Sequence, residues 1–191
     1  MDTENTTVAL ANLPDEDLMT LVTQGIIQEP IAELFRRHNR ALFNFIAWCC
    51  QGKRDEAEDI CQRTWVKLMN CASYQPTAAF RTFLYQIARH LLLDVKKSAY
   101  AQHASLDGQE IEIPADDLSP EAYLHLVENK ARVHQALMAL PIAQREIVVL
   151  RFFSELSLEE IAVSVGIGFE TAKSRLRYAF AHLRHSLGAV E

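Results

Sequence analysis

Glycine and proline are both scarce, six of each in 191 residues, which excludes a collagen-like repeat, a low-complexity chain or one dominated by loops. Long apolar runs are missing too. The longest charge-free apolar stretch, residues 41 to 51, is interrupted by Asn44 and falls far short of the ~20 residues that a membrane-spanning helix needs. The first residues carry Asp2 and Glu4 rather than the basic segment that opens a secretory signal, so the expectation is a cytoplasmic chain. Cysteine is limited to Cys49, Cys50, Cys61 and Cys71, without C-x-x-C spacing and inside apolar helical patterns. That argues for buried free thiols rather than disulfides or zinc. What is abundant is apolar side chain, at 49%, enough for one domain or two small ones at roughly 150 residues per domain.

The net charge of −6 conceals an alternation. Residues 1–35 hold seven acids and no Lys or Arg, and residues 36–54 hold five bases and no acid. Residues 55–71 sum to −2 and residues 72–100 to +3. Residues 101–128 again hold seven acids without a base, before a C-terminal stretch of +2. Such a chain can meet phosphates locally while its overall field weakens unassisted binding to DNA.

Apolar residues recur at the helical period almost throughout, and no stretch alternates as a strand would. The class is all-α. Helices are predicted over 15–24, 29–51, 55–71, 78–97, 120–139, 142–153, 157–165 and 169–186. Between 98 and 119 the pattern fails at Asp107-Gly108, Pro114 and Asp116-Asp117, residues that favour turns. Ser119-Pro120-Glu121 restarts helix with a capping serine and a first-turn proline. The expected organisation is two small helical domains, 1–97 and 120–191, joined by a flexible acidic linker over 98–119.

Ser157-Leu158-Glu159-Glu160 has the form of a capping box. The helix it opens, with Leu158, Ile161, Ala162 and Val165 on one side, reaches Gly166 before a second apolar stripe at Ala172, Leu176, Ala179, Phe180 and Leu183. Two short helices about such a turn make a helix-turn-helix. The second helix points Glu170, Lys173, Ser174, Arg177 and Arg184 away from its apolar stripe, with Thr171 and Arg175 on the flank. That arrangement suits base edges near the helix start and phosphates along it.

In the helix over 78–97, Phe80, Leu84, Ile87, Ala88, Leu91 and Val95 make a core stripe. Arg81, Tyr85, Arg89 and Lys96 form another face, with Tyr74 and Phe83 nearby. Bases interleaved with rings suit a single strand whose bases stack on aromatics, although ordinary surface charge over core aromatics is the alternative. The helix over 55–71 buries Ala57, Ile60, Cys61, Thr64, Trp65 and Leu68. It presents Asp55, Glu58, Asp59, Gln62 and Val66 outward, a face that is either simply solvated or suited to a basic protein helix.

Taken in order, these segments resemble an extracytoplasmic-function sigma factor of the sigma-70 family. Residues 55–65 are similar to the acidic helix of sigma region 2 that binds the polymerase beta-prime clamp. Residues 80–90 resemble the helix that, with the preceding loop, captures the minus-10 element. Leu140-Pro141, Arg145-Glu146, Leu150-Arg151-Phe152-Phe153, residues 156–162 and residues 171–176 resemble region 4, which reads the minus-35 element. The chain departs from the family in carrying Phe83 where Trp is frequent and Ala172 where Val is usual. Glu170 either accepts from a cytosine amino group or favours the helix N-terminus. The resemblance implies binding to core RNA polymerase at the beta-prime clamp and beta flap. It also implies promoter DNA as a target and an anti-sigma partner, often membrane-tethered. The acidic linker is then either a phosphate mimic in polymerase channels or a plain spacer.

The resemblance assigns polymerase binding to Asp55, Glu58, Asp59, Gln62 and Val66. Minus-10 contact falls to Tyr74, Arg81, Phe83, Tyr85, Arg89 and Lys96. Minus-35 contact falls to Glu170, Thr171, Lys173, Ser174, Arg175 and Arg177. No enzyme activity, cofactor, metal or small-molecule substrate is expected. A conventional helix-turn-helix regulator would leave residues 55–97 unused. A metal-dependent hydrolase built on His90 and Asp94, or on His182 and His185, lacks further ligands at workable spacing.

Overall fold

A computed structural model describes residues 10–51, 53–72, 74, 79–100, 131–154 and 156–188, without the side chains of 96–100, 153 and 188. All regular structure among the described residues is helical, with no strand among them. Helix α1 runs Asp15–Thr23, α2 Gln28–Cys49, α3 Arg54–Met69 and α4 Phe80–Tyr100. Residues 131–139 form α5, followed by α6 (Ile142–Phe153), α7 (Leu158–Val165) and α8 (Phe169–Gly188). Helix α4 extends three residues past the predicted start of the linker. The rest of the linker, and the Ser119-Pro120-Glu121 cap, lie outside the described residues.

Helix α1 starts after Pro14, and its first turn holds Asp15, Glu16 and Asp17, where carboxylates meet the positive end of the helix dipole. It is tied to α2 through Arg37. That guanidinium donates to Asp15 Oδ1 at 2.7 Å, to Glu33 Oε1 at 2.6 Å, and to the carbonyls of Leu13 (2.8 Å) and Ala11 (2.9 Å). His38 Nε2 lies 2.7 Å from the other oxygen of Asp15. Burial would raise the Asp15 carboxyl, but the hydrogen bonds from His38 and Arg37 outweigh it and hold the group below its usual range. Glu33 is brought down to about 2, first by the Arg36 hydrogen bond and then by Arg37.

The periodicity of α3 is reproduced residue for residue: Ala57, Ile60, Cys61, Thr64, Trp65 and Leu68 are all buried. They meet Leu42, Phe45 and Ile46 of α2 and Phe80, Leu84 and Leu91 of α4. Asn39 of α2 accepts from Trp65 Nε1 at 3.0 Å and from Cys61 Sγ at 3.3 Å. Burial pushes the Cys61 thiol up to about 11, as expected of an inert core cysteine. All four cysteines are free, with Cys50 and Cys61 buried and Cys49 and Cys71 half-buried.

In the C-terminal half, Arg145 is almost wholly buried. It donates to the carbonyls of Leu137 (3.0 Å), Met138 and Leu140 (3.1 Å), so one α6 side chain satisfies the carbonyls that α5 leaves open at its C-terminal end. The capping box forms, with Glu160 N donating to Ser157 Oγ at 3.1 Å and Ser157 N donating to Glu160 Oε2 at 2.7 Å. Gly166 takes the left-handed conformation, φ +70°, which only glycine adopts without strain. Its turn leads the chain into α8, which buries Ala172 and Ala179.

The two halves share one apolar core. Helix α6 packs on α2 and α7 packs on α4, and buried side chains run continuously from Leu18 to Ala179. The Trp48 and His134 rings meet across this junction at 4.9 Å.

Two outcomes are expected. Because folding lowers the Asp15 and Glu33 carboxyl pKa values, their contribution is complete above the unfolded value near 4 and disappears as pH falls toward 2. Urea midpoints should therefore drop between pH 5 and pH 3 in the natural chain, and less in Arg36→Ala/Arg37→Ala, as measured by circular dichroism. Arg145→Met should cost about 2–4 kcal/mol, because it strips charged donors from buried carbonyls; thermal melting checks this.

Candidate protein and nucleic-acid interfaces

The outward face of α3 carries Asp55, Glu58, Asp59, Gln62 and Val66, all exposed. Arg54 donates to Glu58 at 2.9 Å and Arg63 to Asp59 at 3.2 Å. Both pairs span one helical turn in water, where such bridges are weak and readily exchanged for others. Beside this face α2 and α3 leave a groove lined by Phe43, Trp65 and Met69 and edged by Phe35, Val66 and Gln62. Phe35 is 45% exposed and Val66 49%, so the groove joins apolar surface to an acidic rim. Phe35, whose ring lies 5.1 Å from that of Trp65, was missed by sequence reasoning. Its signal is a lone ring among Glu33, Arg36 and Arg37, off the stripe of Leu34, Leu42 and Phe45.

Helix α4 is more covered than its pattern suggests. Arg81 and Phe83 are half-buried, and Phe83 meets the ring of Tyr74 at 5.3 Å. The Tyr74 hydroxyl is buried without a partner among the described residues. Burial, with Glu16 and Asp15 adding to it, raises its phenol to about 12. Tyr85, expected on an open face, is instead a core residue. It is 2% exposed, sits edge-on to Phe45 at 5.2 Å, and is pushed by burial up to about 12. Arg89 is turned toward α6, where its Nε donates to Glu146 Oε1 at 2.8 Å. The reason is geometric: at 100° per residue Tyr85 borders the apolar stripe and meets Phe45 of α2, whereas Arg89 lies nearly opposite the stripe, where α6 reaches it. The Lys96 side chain and half of the loop from Asn70 to Ala79 lie outside the described residues.

Helix α8 is held by the turn at Gly166 with its N-terminal half outward. Glu170, Thr171, Lys173 and Arg177 are exposed, and Ser174 and Arg175 are half-exposed. Arg177 lies over the Tyr178 ring, 5.2 Å from its centre. No other described element covers this face, so the six positions expected to meet minus-35 DNA form one accessible surface. Phe180, expected in the core, is 36% exposed and meets Phe152, itself 56% exposed, edge to face at 5.6 Å. With Ile142, also exposed, these rings leave apolar surface on the C-terminal half. Among the described residues, no three His, Cys, Asp or Glu side chains gather as a metal site would require.

This geometry agrees with the comparisons. Sigma-70 region 2 matches residues 34–101, and Sigma-70 region 4 matches residues 136–185. The ECF RNA polymerase sigma factor SigW of Bacillus subtilis is 33% identical over 145 residues, which cover 71% of this chain and 78% of SigW. SigE of Mycolicibacterium smegmatis is 31% identical over 157 residues, which cover 81% of this chain but only 60% of SigE. Among solved structures, CnrH in complex with the cytosolic domain of CnrY aligns with a TM-score of 0.68 at 24% identity, over 93% of this chain and 99% of that one. RpoE in complex with the anti-sigma factor NepR from Bartonella quintana aligns at 0.65 and 22% identity, over 86% of this chain and 100% of that one. Regions 2 and 4 in their order, with the relatives that carry both, make the chain a member of the sigma-70 family, in its extracytoplasmic-function branch.

Proposed function

We propose that the chain is an alternative sigma factor that directs core RNA polymerase to a particular class of promoters, and that it catalyses no bond chemistry itself. The observation that carries this reading is the separation of accessible surfaces. A basic recognition helix is open on one half, and an acidic, apolar-floored groove is open on the other. The groove along α3 suits the beta-prime clamp, since its carboxylates attract a basic helix while Phe35 and Val66 supply apolar contact. The Phe152 and Phe180 rings suit the beta flap. Helix α8 reads the minus-35 element through its first two turns, with Lys173, Arg175 and Arg177 on phosphates or base edges.

Helix α4 and the loop before it hold the unpaired minus-10 strand, replacing lost base stacking with ring stacking of about 1–3 kcal/mol per base. A chain of net charge −6 binds DNA weakly alone. Held on the polymerase, the two halves act together at a high effective concentration. An anti-sigma factor, tethered at the membrane, covers the same groove until a signal releases it. CnrH, solved in complex with the cytosolic domain of CnrY, and the Bartonella RpoE, solved in complex with the anti-sigma factor NepR, have folds that resemble this one. The site of action is the cytoplasm.

Run-off transcription with purified core enzyme, this chain and DNA from upstream of its own gene tests the proposal, and a defined start is expected. Lys173→Ala or Arg175→Ala should cost about 1–3 kcal/mol of promoter affinity in the holoenzyme, and loss of a phosphate contact should lower the salt slope by about one. Val66→Asp should weaken binding to core enzyme by about 1–2 kcal/mol while leaving the melting temperature unchanged. The same substitution should loosen co-purification with the product of a neighbouring membrane-protein gene. Absence of any transcript with core enzyme would refute the proposal.

A further inference from the structure

The structure assigns a positioning role to Glu16 of α1, which lies outside the stretch matched to sigma-70 region 2: its carboxylate caps the start of α4 and so sets how Arg81 and Phe83 are presented to the unpaired minus-10 strand. This rests on the reading of α4 as the minus-10 surface. Glu16 Oε1 accepts from the backbone N–H of Phe80 at 2.9 Å, across 64 residues of sequence. Phe80 is the first residue of α4, and the first N–H groups of a helix have no partner within it. The local sequence offers no charged substitute, because Ala79 precedes the helix and its first turn holds no acid. A carboxylate brought in from α1 meets both the open donor and the positive end of the α4 dipole.

Glu16 is itself held in place. Its neighbour Asp15 is fixed to α2 by Arg37 and His38, each at 2.7 Å, and Leu18, Met19 and Val22 bury the inner side of α1. The three acids of the first turn divide their tasks. Asp15 faces α2, Glu16 reaches α4, and Asp17 is exposed. The dipole of α1 attracts all three, and it gives no reason for the middle one to turn toward another helix.

The cap sits at the root of the surface assigned to the strand. The Phe80 ring is fully buried and lies 5.3 Å from the ring of His38, so the first turn of α4 is fixed from within. Arg81 follows directly, and Phe83 meets the ring of Tyr74 at 5.3 Å. Tyr74 stands in the loop before α4, close enough to Glu16 and Asp15 for their charges to add to the effect of burial on its phenol. Glu16 therefore acts through Phe80, and a first turn that shifts carries Arg81 and Phe83 with it. Rigid support of this kind is what holds a binding surface in its productive geometry.

Four holoenzymes test the inference: those of the natural chain, Glu16→Ala, Glu16→Gln and, as control, Asp17→Ala, which removes an exposed acid from the same turn. The probe is a labelled non-template single strand from just upstream of the start mapped by run-off transcription, read by fluorescence anisotropy. Glu16→Ala should bind it about tenfold more weakly, the loss expected when one hydrogen bond to a charged group goes. Glu16→Gln, whose amide oxygen still accepts from Phe80, should recover most of that loss, and Asp17→Ala should match the natural chain. Affinity for core enzyme, and affinity of each holoenzyme for a duplex that carries only the minus-35 half, should be unchanged throughout. Equal strand affinities for Glu16→Ala and the natural chain would overturn the inference. So would a loss in Glu16→Gln as large as in Glu16→Ala, or an equal fall in core and minus-35 binding, which marks a general loss of folding. Absence of a transcript from the natural holoenzyme would instead strike the sigma-factor reading itself, and the inference with it.

Discussion

Helix α4 must serve two neighbours at once. One side of it, Phe80, Leu84, Ala88 and Leu91, closes the apolar core against α2 and α3. The adjoining side, Thr82, Gln86 and Arg89, receives the C-terminal half. The two contacts differ in kind. Burial of the first removes apolar surface from water and holds at any salt concentration. The second adds hydrogen bonds and one ion pair to the apolar contact that α6 makes with α2. The apolar core thus continues from one half into the other, and its polar edge runs along the helix assigned to single-stranded DNA.

Charge distribution supports the same division. Acidic residues on α3 and in the segment over 101–128 lower the field that a distant DNA duplex meets, while the bases proposed to meet DNA stand on α4 and α8. Local attraction survives because screening limits each charge to about 10 Å at ordinary salt. This charge pattern fits the proposed sigma-factor role, in which a larger assembly holds the basic surfaces against DNA.

Much of this was legible from residue order. The buried set of α3, the capping box at Ser157 and Glu160, the turn at Gly166 and the open start of α8 follow from spacing and backbone chemistry, which act over a few residues. The burial of Tyr85, the exposure of Phe180 and the pairing of Arg89 were not legible. Periodicity registers apolar side chains and so finds the first core stripe of α4. The second contact is made by Thr, Gln and Arg, which read as solvent-facing until a partner surface is known. Arg37 and Arg145 escaped for the same reason. Each is a charged side chain whose acceptors include backbone carbonyls, and carbonyls leave no mark in a sequence. Phe180 sits in an apolar register, but α8 lies at the edge of the described fold, and beyond Phe152 no described element covers the ring.

Binding to core RNA polymerase is the most direct measurement of the account. The acidic face of α3 and the exposed Phe35 and Val66 beside it predict that the chain co-elutes with core enzyme in size-exclusion chromatography, and that rising salt weakens the complex as it screens the carboxylates. A chain that stays apart from core enzyme at every salt concentration would contradict the account.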